Sequence, residues 1–211
     1  MKRAIIFLNG NAPDTASVKQ AIKKTDTIIC ADGGAAHAVK AGFLPHVVIG
    51  DFDSLNPAER SKLEKEDIAW ITYPPEKNET DSELVVSYAL DKGFTGLVFF
   101  GVFGDRYDHV LANLTMFAEI SKTVDVTVVD GKQELLFIHG KRVFQGSPGE
   151  LVSLIPFKDD VEGITTSGLV YALLNEKLYF GKTRGISNVF LKEEATVEIT
   201  SGVLLAIYTR N

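Results

Sequence analysis

Cysteine is almost absent from this 211-residue chain, in which Cys30 is the only one. A single thiol cannot close an internal disulfide, so a cross-linked scaffold of the kind used in oxidising compartments is excluded. Its place in the apolar run Thr27-Ile28-Ile29-Cys30-Ala31 reads as a small buried hydrophobe rather than a nucleophile. Long apolar runs are also lacking, and none approaches the ~20 residues that span a bilayer. Met1-Lys2-Arg3 before the apolar stretch Ala4–Leu8 has the start of a secretory signal, but that stretch is short and runs into Asn9-Gly10-Asn11. No membrane association and a cytoplasmic location are expected. Basic residues are outnumbered, with 22 Lys and Arg against 28 Asp and Glu and a net charge of −6. Such a surface offers phosphate backbones no long-range attraction, so no nucleic-acid partner is expected. Several catalytic signatures are missing as well, including a Gly-x-Ser-x-Gly elbow and a Cys-x-x-Cys pair. Gly181-Lys182-Thr183 resembles the end of a P-loop, but the upstream glycine position holds Glu176. The histidines His37 and His46 have no metal-ligand spacing, and His109 reads as a packed or solvated side chain.

What is present changes character once along the chain. Through the first 130 residues, short β-branched or aromatic runs (Ala4–Leu8, Thr27–Ala31, Val47–Ile49, Ala69–Thr72, Leu97–Phe100, Val126–Val129) alternate with amphipathic stretches. Helix starts are marked by Asn56-Pro57, an N-cap followed by proline at the first helical position, and by Thr80-Asp81-Ser82-Glu83, a capping-box pattern that should end at Gly93. A third helix is expected from about Asp108 to Ile120. This is the grammar of an α/β, doubly wound, mostly parallel sheet. Beyond about Lys132 the runs are Glu134–Ile138, Arg142–Phe144, Leu151–Pro156, Leu169–Leu174, Lys177–Phe180, Asn188–Leu191, Thr196–Ile199 and Val203–Thr209, separated by turn signals. They predict a C-terminal antiparallel β-sandwich or barrel. The boundary falls near Asp130–Gln133, giving domains 1–130 and 131–211.

Acids recur where these strands end. Asp32 follows Ala31, Asp51 and Asp53 follow Ile49, Asp81 opens the helix after Thr72, and Arg106 and Asp108 follow Phe100. In an open parallel sheet the loops after the strands share one edge, where ligands bind. Carboxylates gathered there repel unless a cation intervenes. Hard oxygen donors suit Mg²⁺, which completes its shell with water and substrate phosphates. Gly33-Gly34, Gly50, Gly101 and Gly104 accompany the acids and permit close backbone approach to phosphate oxygens, and Arg106 offers a cationic fork. Each element also has a plain structural use: Asp51-Phe52-Asp53-Ser54 as a turn into a helix, Asp81 as a first-turn acid. Their concentration on a single edge favours an Mg²⁺-dependent enzyme acting on a nucleoside triphosphate.

Ala31-Asp32-Gly33-Gly34-Ala35, Gly50-Asp51-Phe52-Asp53-Ser54, Glu76-Lys77-Asn78-Glu79-Thr80-Asp81, Gly104-Asp105-Arg106-Tyr107-Asp108-His109 and Gly185-Ile186-Ser187-Asn188 together resemble the successive signatures of thiamine pyrophosphokinases, in order and over nearly the whole chain. The resemblance implies transfer of the pyrophosphoryl group of ATP to the hydroxyethyl oxygen of thiamine with release of AMP, by a homodimer with an α/β nucleotide domain and a β-sandwich. It implies that Asp51, Asp53 and Asp81 hold Mg²⁺, with Asp32 completing the cluster. Arg106, Thr80 and the Gly33-Gly34 turn would attend ATP, and Asp53, Asp81, Arg106 and Asp108 would form the catalytic set. Asp108, near the attacking hydroxyl, would join Ser187, Asn188 and Tyr171 in a thiamine pocket at the subunit interface. Two positions depart from the family pattern: Asn78 stands where many members carry another Asp, and Asp105 replaces a common glycine. Three rivals stay open: a pyrophosphokinase for another hydroxymethyl heterocycle such as a pterin, a non-catalytic nucleotide or thiamine sensor, and a plain scaffold that binds no ligand with metal.

Overall fold

The computed structural model describes residues 1–74, 76 and 78–210, so Lys77 of the Glu76–Asp81 motif lies outside the described residues. Contacts divide the chain into two compact units, Met1–Gly131 and Lys132–Asn211.

The first unit alternates β1 (Arg3–Phe7), α1 (Thr15–Ala21), β2 (Thr27–Ala31), α2 (Gly34–Lys40), β3 (Val47–Gly50), α3 (Pro57–Leu63), β4 (Ala69–Thr72), α4 (Asp81–Asp91), β5 (Gly96–Phe100), α5 (Tyr107–Ile120) and β6 (Asp125–Asp130). The strands form a parallel sheet in the order β6-β5-β1-β2-β3-β4. Side chains alternate across it. Ile5, Phe7, Ile28, Cys30, Val48, Val98 and Phe100 share one core with Val18 of α1, Ala35 and Ala38 of α2 and Leu63 of α3. The intervening Ile6, Ile29, Ile49 and Phe99 are buried on the other face, where Phe99 stacks on Phe117 of α5 at 4.1 Å between centroids. Burial on both faces explains why these strands read as continuous apolar runs. The Cys30 thiol lies inside this core, and burial pushes its pKa up, away from thiolate chemistry.

Caps set the helix starts. The Asn56 side chain accepts the Ala58 N–H at 2.9 Å ahead of Pro57, and Thr80 Oγ1 accepts the Glu83 N–H at 3.2 Å. α1 and α2, each seven residues long, were not legible as periodic segments. α1 buries only Val18, and α2 buries the small residues Gly34, Ala35 and Ala38, so neither shows an apolar stripe.

The second unit contains β7 (Gln133–Ile138), β8 (Lys141–Gln145), β9 (Leu151–Pro156), β10 (Val161–Ser167), β11 (Glu176–Leu178), β12 (Asn188–Val189), β13 (Glu194–Glu198) and β14 (Leu204–Thr209). Within this unit β12-β9-β14-β7 pair antiparallel, as do β11-β10-β13-β8. Side chains from both sets, among them Leu136, Leu154, Ile164, Leu178, Val197 and Ala206, bury one another in a single core, which makes the unit a β-sandwich.

One expectation for this unit is corrected. Leu169–Leu174 is not a strand. Gly168 turns the chain at φ 74°, where a Cβ would meet the Glu194 carbonyl oxygen at 2.0 Å, and both main-chain polar groups of Tyr171 bond to a side chain instead of a ladder. The strand that the pattern did not reveal is β10, which has few apolar residues and a register shift between Val161 and Ile164.

Candidate active site

The strand order places a topological switch point between β1 and β5, because β2, β3 and β4 extend to one side of β1 while β5 and β6 extend to the other. Ligands of open α/β sheets bind at such a crevice, beyond the carboxyl ends of the strands. A cavity of ≈ 650 Å³ lies there. The loops after β1 and β5 form its floor and are tied together: Gly10 N–H donates to the Gly101 carbonyl at 2.8 Å and Asn11 N–H to the Phe103 carbonyl at 2.6 Å.

Asp32, Asp51, Asp53, Thr80, Asp81 and Arg106 all line this cavity. Asp32 leaves β2 at φ 43°, in the left-handed region that only a tight local environment imposes on a non-glycine residue. Its side chain is buried, and Oδ1 has no hydrogen-bond partner among the described residues. Burial raises its pKa; the Ser54 hydroxyl and Gly33 N–H oppose this, and the charges of Asp81 and Asp53 add to it. In the loop after β3, Phe52 adopts φ 65° and is buried edge-on against Trp70 at 5.0 Å. Anchored in this way, it leaves Asp51 and Asp53 on the cavity wall on either side. One carboxylate oxygen from each of Asp32, Asp51 and Asp53 lies within 4.8 Å of the others. Asp81 opens α4 behind the Thr80 cap, lines the same cavity and is close enough to bear on the Asp32 charge.

Arg106 and Asp108 form a two-pronged ion pair, with Nε to Oδ1 at 2.9 Å and Nη2 to Oδ2 at 2.7 Å. Both side chains are exposed, at 71% and 64%. The guanidinium holds the Asp108 carboxyl well below the usual carboxylate range, and Asp108 itself is not among the cavity-lining residues. Gly33 and Gly34 are not lining residues either. Their small size serves packing: a Cβ on Gly34 would meet the Phe7 carbonyl oxygen at 2.2 Å, and one on Gly33 would meet Asn9 Oδ1 at 2.4 Å.

In the second unit Tyr171, Ser187 and Asn188 are brought together. Tyr171 is 67% exposed, whereas Asn188 is 4% exposed and bonded through its carboxamide to the Tyr171 main chain. Ser187 sits at φ 57° and its N–H donates to Ser153 Oγ at 3.0 Å.

Among the polar residues on the cavity wall that escaped the reading of the acids are Asn9, Asn11 and Asn113. Asn9 and Asn11 follow β1, so the strand-end rule that selected the acids applies to them too. Asn113 lies four residues beyond His109 on α5, and both face the cavity, which is the signal helical spacing could have given.

Oxygen donors converging on a cavity of this size suit a hydrated divalent cation carrying phosphates. Comparison with known proteins agrees. Residues 18–129 match the family model for the thiamin pyrophosphokinase catalytic domain, and residues 138–204 match that for the thiamin pyrophosphokinase vitamin B1 binding domain. A thiamine pyrophosphokinase from Bacillus subtilis is 31% identical over 179 residues, covering 83% of this chain and 84% of its own. The crystal structure of thiamine pyrophosphokinase from Bacillus subtilis superposes with a TM-score of 0.90 at 26% identity over the full length of both chains. Yeast thiamin pyrophosphokinase, at 16% identity, a TM-score of 0.80 and coverage of 99% and 86%, shares the fold. By its catalytic and vitamin-binding regions alike, this chain belongs to the thiamin pyrophosphokinase family.

Proposed function

We propose that this protein transfers the pyrophosphoryl group of ATP to the hydroxyethyl oxygen of thiamine, giving thiamine diphosphate and AMP. The observation that carries the reading is the clustering of Asp32, Asp51 and Asp53 at the switch-point cavity of a chain in this family. The thiamine hydroxyl attacks the β-phosphorus of ATP in line. An oxygen–phosphorus bond forms there, the bond from the β-phosphorus to the oxygen it shares with the α-phosphorus breaks, AMP leaves with that electron pair, and the hydroxyl proton passes to solvent.

Asp51, Asp53 and Asp81 would hold Mg²⁺, with Asp32 completing the cluster. The fit rests on one carboxylate oxygen from each of Asp32, Asp51 and Asp53 within 4.8 Å of the others, on Asp81 lining the same cavity, and on a buried Asp32 oxygen without a hydrogen-bond partner among the described residues. When bound, the ion would offset the charge building on the phosphate oxygens. Thr80 fixes the start of α4 and so the position of Asp81, while the exposed fork of Arg106 reaches phosphate by giving up part of its pairing with Asp108. Asp108, held ionised by that pair, is a poor proton acceptor and serves the acceptor hydroxyl by hydrogen bonding. In this loose transition state the alcohol proton leaves late, so no strong base is needed.

Thiamine carries a fixed cation, which the acidic cavity suits. Tyr171 packs on its pyrimidine ring, and Ser187 lies alongside. The acceptor site forms across a homodimer, a reading supported by the exposed apolar side chains Val170, Ile186 and Leu191 around these residues. The action is cytoplasmic, in keeping with the single buried thiol; among the described residues no helix is long and apolar enough to cross a membrane.

The test supplies purified protein with ATP, thiamine and Mg²⁺, omitting each in turn, and measures AMP and thiamine diphosphate. Both should appear in equal amounts only in the complete mixture, and Asp53→Asn should lower the rate by about 100-fold or more without lowering the Tm of the metal-free protein. AMP formed without thiamine, or near-normal turnover by Asp53→Asn, would overturn the assignment.

A further inference from the structure

In the second unit, the segment from Gly168 to Leu173 leaves the sandwich, tied to it just ahead of Tyr171 by the Val170 N–H, which donates to the Val189 carbonyl at 2.9 Å, and at both ends. At one end the Leu191 N–H donates to the Gly168 carbonyl at 2.8 Å, and at the other the Leu173 N–H donates to Thr166 Oγ1 at 2.9 Å. Leu169 and Leu173 are buried, whereas Tyr171 between them is 67% exposed. A main chain that leaves a sheet exposes its polar groups, and the Val170 bond leaves both main-chain groups of Tyr171 still to be satisfied.

The tip is held by Asn188. Its Oδ1 accepts the Tyr171 N–H at 3.0 Å, and its Nδ2 donates to the Tyr171 carbonyl at 2.7 Å. The same Oδ1 accepts the Val189 N–H at 2.9 Å, so the acceptor is fully used and the carboxamide cannot rotate without losing three bonds. Asn188 is 4% exposed and belongs to β12, where it pairs with Val152 of β9. A buried carboxamide on a sandwich strand therefore plays toward Tyr171 the part that a neighbouring strand would play: it satisfies N–H and C=O together.

We propose that Asn188 is a positioning residue that acts on thiamine only through Tyr171, fixing the tip from which the tyrosine ring meets the acceptor, rather than a group that touches the substrate. The inference rests on the assignment of thiamine as the acceptor. It revises the expectation that Asn188 lines the pocket beside Ser187. Only Asn offers this geometry on so short a stem: ionised Asp lacks the donor, Ser and Thr carry donor and acceptor on one atom that cannot reach both groups as two separate atoms do, and Gln adds a methylene that the buried site must absorb.

The experiment is a double-mutant cycle on the full chain with Asn188→Ala, Tyr171→Ala and the combination, together with amide hydrogen exchange of residues 168–173. Asn188→Ala should raise the KM for thiamine about tenfold with kcat within about threefold and the KM for ATP unchanged. Added to Tyr171→Ala it should have no further effect on thiamine. Exchange should accelerate at the tip while β9 and β14 stay protected, which separates a loosened tip from a misfolded sandwich. Asn188→Asp, which sets a buried carboxylate oxygen against the Tyr171 carbonyl, should raise the KM for thiamine at least as much as Asn188→Ala at neutral pH. Effects of Asn188→Ala and Tyr171→Ala that add, or an Asn188→Ala variant with wild-type KM for thiamine, would overturn the inference and leave the proposed activity standing. Wild-type protein that forms no thiamine diphosphate would overturn both.

Discussion

Asp32 is buried, sits at positive φ and leaves Oδ1 without a hydrogen-bond partner among the described residues. A fold selected for stability alone would put a neutral residue there; sites that bind charge tolerate such strain. Its carboxyl pKa is raised, by burial first and then by the Asp81 and Asp53 charges. A carboxyl whose folded pKa exceeds its unfolded value of ~3.9 favours folding while protonated, and that contribution is lost as pH rises through the folded value. At neutral pH, without metal, the ionised group is therefore a cost. Asp32→Asn should raise the Tm of the metal-free protein by about 3 °C at pH 7. The gain should shrink toward acid pH, and the stabilisation on adding Mg²⁺ should diminish in the variant. A lower Tm for metal-free Asp32→Asn, or an Mg²⁺-induced shift of wild-type size, would contradict this account of the residue. The backbone of Asp32, like that of Phe52, could not be read from the sequence, because positive φ is imposed by what surrounds the loop and not by the residue type.

At the scale of elements, β1 and the approach to β2 are joined by one ion pair. Arg3 bonds both oxygens of Asp26, whose side chain is 2% exposed, and also the Ala21 carbonyl at the end of α1. Burial pulls the Asp26 pKa upward, but the Arg3 hydrogen bonds, the Lys23 N–H and the Arg3 charge outweigh it, and the net shift is downward. That sign makes the pair stabilising above the unfolded value of ~3.9 and progressively less so as pH falls through the lower folded value. Asp26→Asn should cost about 2 kcal/mol at pH 7 in a denaturant titration, and the difference from wild type should shrink as pH falls through the lowered folded value of Asp26. A cost that persists unchanged into acid would assign the effect to packing. Elements with strong local signals were legible in advance: the Asn56-Pro57 and Thr80–Glu83 caps mark α3 and α4, and the uniformly apolar runs mark the central strands. β10 was not, since only Val161 and Ile164 carry an apolar signal in it and its bulge breaks the period of two. The false strand at Leu169–Leu174 has the right composition, but its ladder gives out at Tyr171, whose partner is a side chain seventeen residues away in sequence, at Asn188, which no local pattern reveals.

For the molecule as a whole, the division into an α/β unit and a sandwich was visible as a change of rhythm, and the edge that carries the acids followed from strand ends alone. The order of the strands was not visible. It puts β1 beside β5, makes the cavity a switch-point crevice, and brings Asn9, Asn11 and Asn113 to its wall. Sheet order depends on which crossovers pack, information spread over the entire chain. The central claim is transfer of an intact pyrophosphoryl group from this cavity to thiamine in one step. Supplying ATP labelled in its γ-phosphate, with thiamine and Mg²⁺, and following the label tests this most directly. The account predicts that the label becomes the terminal phosphate of thiamine diphosphate, with AMP as the sole nucleotide product. Label appearing in thiamine monophosphate or in free phosphate, with ADP formed in place of AMP, would contradict it.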